Sequence, residues 1–299
     1  MRHDGPSRTA IGVAIQRAAH QVLDSPPVFA DPFAARMVGP RARAVLETAP
    51  HRLARSPFVR YLRAALAARS RVAEEALAAA VARGVRQYVV LGAGLDTFAL
   101  RNANPALRVF EVDHPATQTW KLRQLRREGI AIPANVTFVA VDFERDDLAA
   151  ALRAAGLAPG EPSFFSWLGV TPYLEPGPLW ATLRAVAAAA GGAGGVAFDF
   201  IARPRRREML VRLILWLRGR RVASLGEPFR TLMRPDDVAA GLEGLGFRDV
   251  VVLGPAQLNA RFFAGRADGL RVGSVTYVAV ATDATGGRAS GASPGSGVV

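Results

Sequence analysis

The sequence predicts an α/β protein: a doubly wound, mostly parallel, seven-stranded sheet with helices on both faces. Three observations lead there. From residue 85 onward, short β-rich runs alternate with helical stretches. Several of those runs are continuously apolar instead of alternating, as expected of strands covered on both faces. Segments of helical length, not hairpin turns, join the first five strands, which is the connection a parallel sheet requires.

Taken in order, Ser7 can cap a helix running to about Leu23, and Asp31 followed by Pro32 is expected to open a second. Pro57 precedes a long helical segment in which Val59, Leu62, Leu66, Ala73, Leu77 and Val81 recur at three- and four-residue spacings. Gly84 supplies its stop. The strands then read QYVVL (87–91), RVFEV (108–112), VTFVAV (136–141), SFFSWL (163–168) and GVAFDFI (195–201), with helices at about 114–128, 146–155 and 176–190 between them. Asp236 or Asp237 can cap a further helix to about Leu245. FRDVVVL (247–253) and RVGSVTYVAVAT (271–282) have no second long helix between them, so they are expected to pair antiparallel at one edge. The organisation is thus a helical cap or lid over 1–56 and a main domain over 57–283, which carries an inserted lid helix at about 203–221. A Gly/Ser-rich tail at 284–299 is expected to be disordered.

Composition narrows the function. With 50% hydrophobic and 21% charged residues the chain has a sizeable core. It contains no cysteine, which excludes disulfides, thiolate metal sites and a cysteine nucleophile. The four histidines are scattered without metal-ligand spacing, so no metal is expected. The net charge is +13, yet all but one of the 38 basic residues are arginine. That bias reads as the coding habit of a GC-rich genome and not as selection for a polyanion partner. The segment RPRRREMLVRLILWLRGRR (203–221) sets arginines around Met209, Leu210, Leu213, Ile214 and Leu217. It is either a basic amphipathic helix for a membrane surface or anionic carrier, or a solvated helix over the substrate cleft. No apolar run reaches the ~20 residues of a membrane span, and no signal-peptide block opens the chain, so a cytoplasmic location is expected.

The chemistry concentrates at strand ends. In VVLGAGLDT (89–97) a buried strand runs into Gly92-Ala93-Gly94, where a sharp turn leaves bare backbone for a ligand to approach. Thr97 stands where a dinucleotide fingerprint would have its third glycine, and Asp96 precedes it. An acid there disfavours a pyrophosphate, and with it NAD(P) or FAD. Asp113 ends the next strand, 19 positions after Gly94. A carboxylate there accepts bonds from both hydroxyls of a ribose, or caps the helix beginning near His114. Asp142 and Phe143 end the third strand, where the carboxylate can take an adenine amino group and the ring can flank the base. Asp142 could instead start the next helix, a task Asp146 and Asp147 could also perform. A nucleoside without pyrophosphate on a doubly wound sheet points to S-adenosyl-L-methionine as cofactor.

Six blocks in order, FADPFAARMVG (29–39), RSRVAEEAL (69–77), GVRQYVVLGAGLDTFALR (84–101), VFEVDHPATQTWK (109–121), FVAVDFERDDL (138–148) and FFSWLGVTPYL (164–174), resemble the leucine carboxyl methyltransferase-type family of class I S-adenosylmethionine-dependent methyltransferases. The resemblance is to the bacterial branch of that family, which includes actinomycete methyltransferases and O-methyltransferases of secondary metabolism. The resemblance implies that Gly92 and Gly94 line the methionine moiety, Asp113 the ribose, and Asp142 with Phe143 the adenine. It also implies that Arg69 or Arg71 pairs with the cofactor's carboxylate; two positions apart on a helix they face different sides, so one of them does so. Related chains often carry a glutamate just before the Gly-Val of the fourth-strand block, where this one has Leu168 before Gly169-Val170.

The expected activity is O-methylation of a hydroxyl or carboxylate on a small molecule. A carboxylate acceptor needs no base, whereas a hydroxyl could use one. His20, His51, His114 and Tyr173 are the candidates, none assigned, and Tyr173 is expected to line the pocket. Two rival readings remain at this stage: an NAD(P)-dependent oxidoreductase, and a basic module binding nucleic acid or a membrane surface.

Overall fold

The protein is described from a computed structural model, which covers residues 8–283 apart from 55–56, 144 and, within 205–227, all but Met209 and Leu213. The tail 284–299 and nearly all of the arginine-rich segment 203–221 therefore lie outside the described residues; Met209 and Leu213 themselves are exposed.

Seven strands form one sheet: β1 (Gln87–Leu91), β2 (Arg108–Asp113), β3 (Val136–Ala140), β4 (Ser163–Trp167), β5 (Gly195–Ile201), β6 (Asp249–Leu253) and β7 (Thr276–Thr282). Their order is β3-β2-β1-β4-β5-β7-β6. The first five are parallel, and β7 runs antiparallel between β5 and β6. Burial follows position in that order. Every residue of central β1 and β4 is buried, while β6 on the edge leaves Asp249 and Val251 exposed. Continuous apolar runs are therefore the signature of the middle of the sheet.

Helices α1 (Arg8–Leu23), α2 (Pro40–Thr48) and α3 (Pro57–Ala82) precede the sheet. Next come α4 (Phe98–Arg101), α5 (Pro115–Arg127), α6 (Leu148–Ala154), α7 (Pro176–Ala190), α8 (Pro235–Gly244) and α9 (Pro255–Phe262). On one face α3 lays Ala73, Leu77 and Ala80 against Tyr88, Val90 and Phe164. On the other, Leu179, Leu183 and Val186 of α7 and Leu242 of α8 pack with Phe165, Trp167 and Phe198. A third cluster joins Ala14 and Ala18 of α1 to Met37, Leu46, Leu95 and Leu125, seating α1 over the exit of β1. No described helix is long and apolar enough to cross a membrane.

Three expectations need correction. Asp31-Pro32 opens a turn, not a helix: the Asp31 carboxylate is buried, accepts the Phe33 amide at 3.1 Å and is bonded to Arg17 and Thr97. The next helix starts only at Pro40. Asp236 and Asp237 lie in the first turn of α8, whose N-cap position is Arg234; acids there still favour the positive end of the helix dipole. Residues 271–275 are not strand. Val272 instead exchanges backbone bonds with the Asn259 side chain of α9, a short helix the pattern did not signal.

Candidate functional site

The sheet reverses winding direction between β1 and β4, the crevice where ligands bind in open α/β sheets. A cavity of about 280 Å³ opens there. Its floor is the turn after β1. Gly92 (φ +64°) and Gly94 (φ +50°) take a left-handed conformation, and a Cβ on Gly92 would clash with Val170 Cγ2. No side chain larger than hydrogen fits that turn without displacing the exit of β4.

Asp113, at the tip of β2, faces the same cavity. One carboxylate oxygen accepts the Gly94 amide and the other the His114 amide, the latter at 2.6 Å. The N-cap of α5 is His114, whose Nδ1 accepts the Ala116 amide, so capping does not fall to Asp113. Burial pushes the Asp113 carboxyl up, and the two amides only partly offset it. Asp142 and Phe143 line the cavity beyond β3. Starting α6 is the work of Asp147, which accepts the Ala149 and Ala150 amides.

Of the two candidate arginines, the structure brings Arg69 to the cavity. Arg71 lies outside it, half-exposed and paired with Glu75 one turn on. Tyr173 lines the cavity from a short 3-10 turn (Thr171–Tyr173), its ring centroid 5.6 Å from that of Phe229. Among the candidate bases, His114 and Tyr173 line the cavity, whereas His20 and His51 do not. His20 is buried with Nδ1 2.7 Å from Asp24, while Nε2 accepts the Val28 and Phe29 amides, so it staples the cap. His51 is exposed. The described residues hold no group of three or more potential metal ligands of the His, Cys, Asp and Glu types.

Sequence reasoning missed the roof. Thr9, Ala10, Val13, Ala14 and Arg17 of α1 all line the cavity. Arg17 is buried and donates to Asp96 at 2.9 Å, Asp31 at 2.6 Å and Thr97 at 3.1 Å. Arg101 donates to Glu74 at 3.0 Å and to Thr97 at 3.1 Å. Lys121, the one lysine, is buried between Glu111 at 2.5 Å and the Asp96 carbonyl at 2.6 Å. Burial alone would raise Asp96, but Arg17, Arg101 and Lys121 outweigh it and hold its carboxyl at about 2. Glu74 goes the other way, raised by burial despite Arg101. The one available signal for this network was Asp31 and Asp96 sitting inside otherwise apolar blocks.

These groups suit a thioether nucleoside. Carboxylates stand at the tip of β2 and beyond β3, an aromatic residue follows Asp142, and an arginine lines the same cavity as the glycine turn. The buried hydroxyl of Thr9, on the cavity wall, has no hydrogen-bond partner among the described residues. The chain matches the leucine carboxyl methyltransferase family over residues 10–187, more than half its length.

The chain belongs to the leucine carboxyl methyltransferase family. It is an S-adenosylmethionine-dependent methyltransferase, which removes the oxidoreductase reading. It is 27% identical to YktD of Bacillus subtilis, provisionally named an S-adenosyl-L-methionine-dependent methyltransferase, over 90% of this chain and 95% of that one. A Frankia alni protein with the same provisional name is 32% identical over 80% and 82%. Among solved structures, a DUF574 family protein of Streptomyces avermitilis superimposes with TM-score 0.54, 17% identity and coverage of 89% and 96%. A Thermobifida fusca protein provisionally titled a methyltransferase gives 0.52, 16%, and 93% and 95%. Those two share the fold.

Proposed function

We propose that this methyltransferase acts on an oxygen of a small molecule in specialised metabolism, in a cytoplasmic setting and without a nucleic-acid partner. The observation carrying the reading is that Asp113 of β2, Asp142 and Phe143 beyond β3, and Arg69 of α3 line one cavity whose remaining wall is largely apolar. In this reading Asp113 accepts the two ribose hydroxyls, Asp142 the adenine amino group, and Phe143 packs on the base. Gly92 and Gly94 lie under the methionine chain, whose carboxylate pairs with Arg69. When bound, the cofactor supplies a methyl group already activated by its sulfonium. The protein's remaining task is alignment and exclusion of water, which can lower a barrier by as much as about 7–11 kcal/mol. The lid over 1–56 contributes Ala10, Val13 and Ala14 to that exclusion, and Tyr173 with Leu174 lines the side from which an acceptor would be oriented. For a hydroxyl acceptor, His114 and Tyr173 are the candidate bases that line the cavity; a carboxylate acceptor would need neither. An oxygen acceptor is also what the family's name describes.

The test is mass spectrometry of the purified protein for co-eluting S-adenosylmethionine or S-adenosylhomocysteine, followed by incubation with labelled cofactor and a panel of small hydroxyl and carboxylic acids. Label appearing on oxygen supports the reading. Label found only on nitrogen, carbon or macromolecules overturns it.

A further inference from the structure

Asp199 is the charged residue in the otherwise apolar strand β5, GVAFDFI, and it is only partly buried there. Its carboxylate joins three elements. One oxygen accepts the amide of Gly169, just beyond β4, at 2.6 Å, and the other meets Arg69 Nη1 of α3 at 2.8 Å. Both side chains of the ion pair are largely shielded, at 12% and 14% exposure. The Asp199 carbonyl in turn accepts the Thr171 hydroxyl at 2.6 Å, fixing the loop that carries Gly169. Gly169 has φ +77°, and a Cβ there would sit 2.8 Å from Arg69 Nη2, so the guanidinium lies against bare peptide. Arg69 and Gly169 line the cavity, whereas Asp199 stands behind them. Leu168 occupies the position where resembling chains often have a glutamate, and the carboxylate that reaches the β4 exit comes from the neighbouring strand instead.

We propose that Asp199 is a positioning residue for cofactor binding. It holds the plane of the Arg69 guanidinium against Gly169, so that the donors left over from the ion pair meet the cofactor's carboxylate in a fixed orientation. The inference rests on the reading that Arg69 pairs with that carboxylate. An unrestrained arginine would have to surrender side-chain freedom on binding; one already held by an ion pair and a flat peptide does not. The cost is partial neutralisation of its charge, so the benefit appears only where geometry matters, in fork-like pairing with a planar carboxylate.

The experiment is calorimetry on the full chain with S-adenosylhomocysteine and with decarboxylated S-adenosylhomocysteine, which keeps the amine and lacks only the carboxylate. Asp199→Asn keeps an oxygen for the Gly169 amide and removes the charge. It is expected to weaken S-adenosylhomocysteine about tenfold and leave the decarboxylated ligand within about twofold. Equal weakening of both ligands, no weakening of either, or tighter binding of S-adenosylhomocysteine overturns the proposal. Should Asp199→Asn fail to fold, Asp199→Glu displaces the carboxylate by one methylene and is read by the same comparison. Arg69→Gln separates the two ideas. If it spares the carboxylate-dependent affinity, the reading beneath the proposal fails. If it removes that affinity while Asp199→Asn does not, only the role of Asp199 fails.

Discussion

The cavity has two unlike walls. One is built from the tips of β1, β2 and β3, where side chains and backbone face the cavity and each group is placed by its own strand. Asp113 there accepts the amides of Gly94 and of its own neighbour, His114. The other wall is built from α1, α3 and the β4–β5 edge, where long arginines reach across the fold. Arg17 meets Asp96 across 79 residues of chain, and Arg69 meets Asp199 across 130. In the proposed reading the first wall would bind with groups already placed by their strands. The second must first neutralise its own buried charges, so its side chains would serve stability and binding together.

The largest effect should come from breaking that second wall. Arg17→Ala leaves Asp31 buried and Asp96 without its nearest cation. Removing one member of a buried pair costs about 3–5 kcal/mol, and urea denaturation should show a loss of that size. Asp96 also predicts the sign with pH. Its folded pKa, about 2, is depressed, so its contribution is present above the ordinary aspartate range and is lost as pH falls from there towards 2. In Arg17→Ala that acid-sensitive component should shrink; an unchanged acid limb would mean that Asp96 is held by other groups.

Next in size is the first wall. Asp113→Ala should leave the fold intact yet cost about 3 kcal/mol of S-adenosylhomocysteine affinity, from two hydrogen bonds to a charged acceptor at about 1.5 kcal/mol each. Calorimetry giving wild-type affinity would sink the ribose assignment. Because burial raises this carboxyl, binding by the wild type should begin to weaken, on acidification, above the pH at which an ordinary aspartate protonates. Asp113→Asn should remove that dependence.

The two walls also differ in how far they can be read from sequence. Gly92, Gly94, Asp113, Asp142 and Phe143 follow strands whose apolar runs are unmistakable, so strand order alone carries them to one edge. The continuous burial of β1 and β4 made the sheet legible for the same reason. Asp31 reads locally as a helix opener, but its carboxylate is spent on partners far along the chain, which no local pattern shows. Asp199 carried a visible signal, a lone acid in GVAFDFI, but its partners could be found only once α3 was laid across β4 and β5. Helix α9 is eight residues long, shorter than the window in which a helical period declares itself.

A smaller perturbation joins the walls. Gly92→Ala forces a side chain into a left-handed turn and against Val170. It should cost about 1–2 kcal/mol of stability from the backbone alone, with additional loss of cofactor affinity as Val170 is displaced. If affinity is unchanged while stability falls, the glycine serves the turn and not the ligand.

The smallest effect is the sharpest control on the comparison. Arg69 and Arg71 sit two residues apart on α3, and the sequence could not choose between them. The helix sends one guanidinium towards Gly169 and Asp199 and leaves the other half in water against Glu75. An exposed pair of that spacing contributes about 0.3–0.5 kcal/mol, so Arg71→Ala should barely move the urea midpoint and should leave S-adenosylhomocysteine affinity at the wild-type value. Arg69→Ala should lower that affinity clearly. Equal, mild losses in the two variants would mean that neither arginine holds the carboxylate, and that the second wall acts only as scaffold.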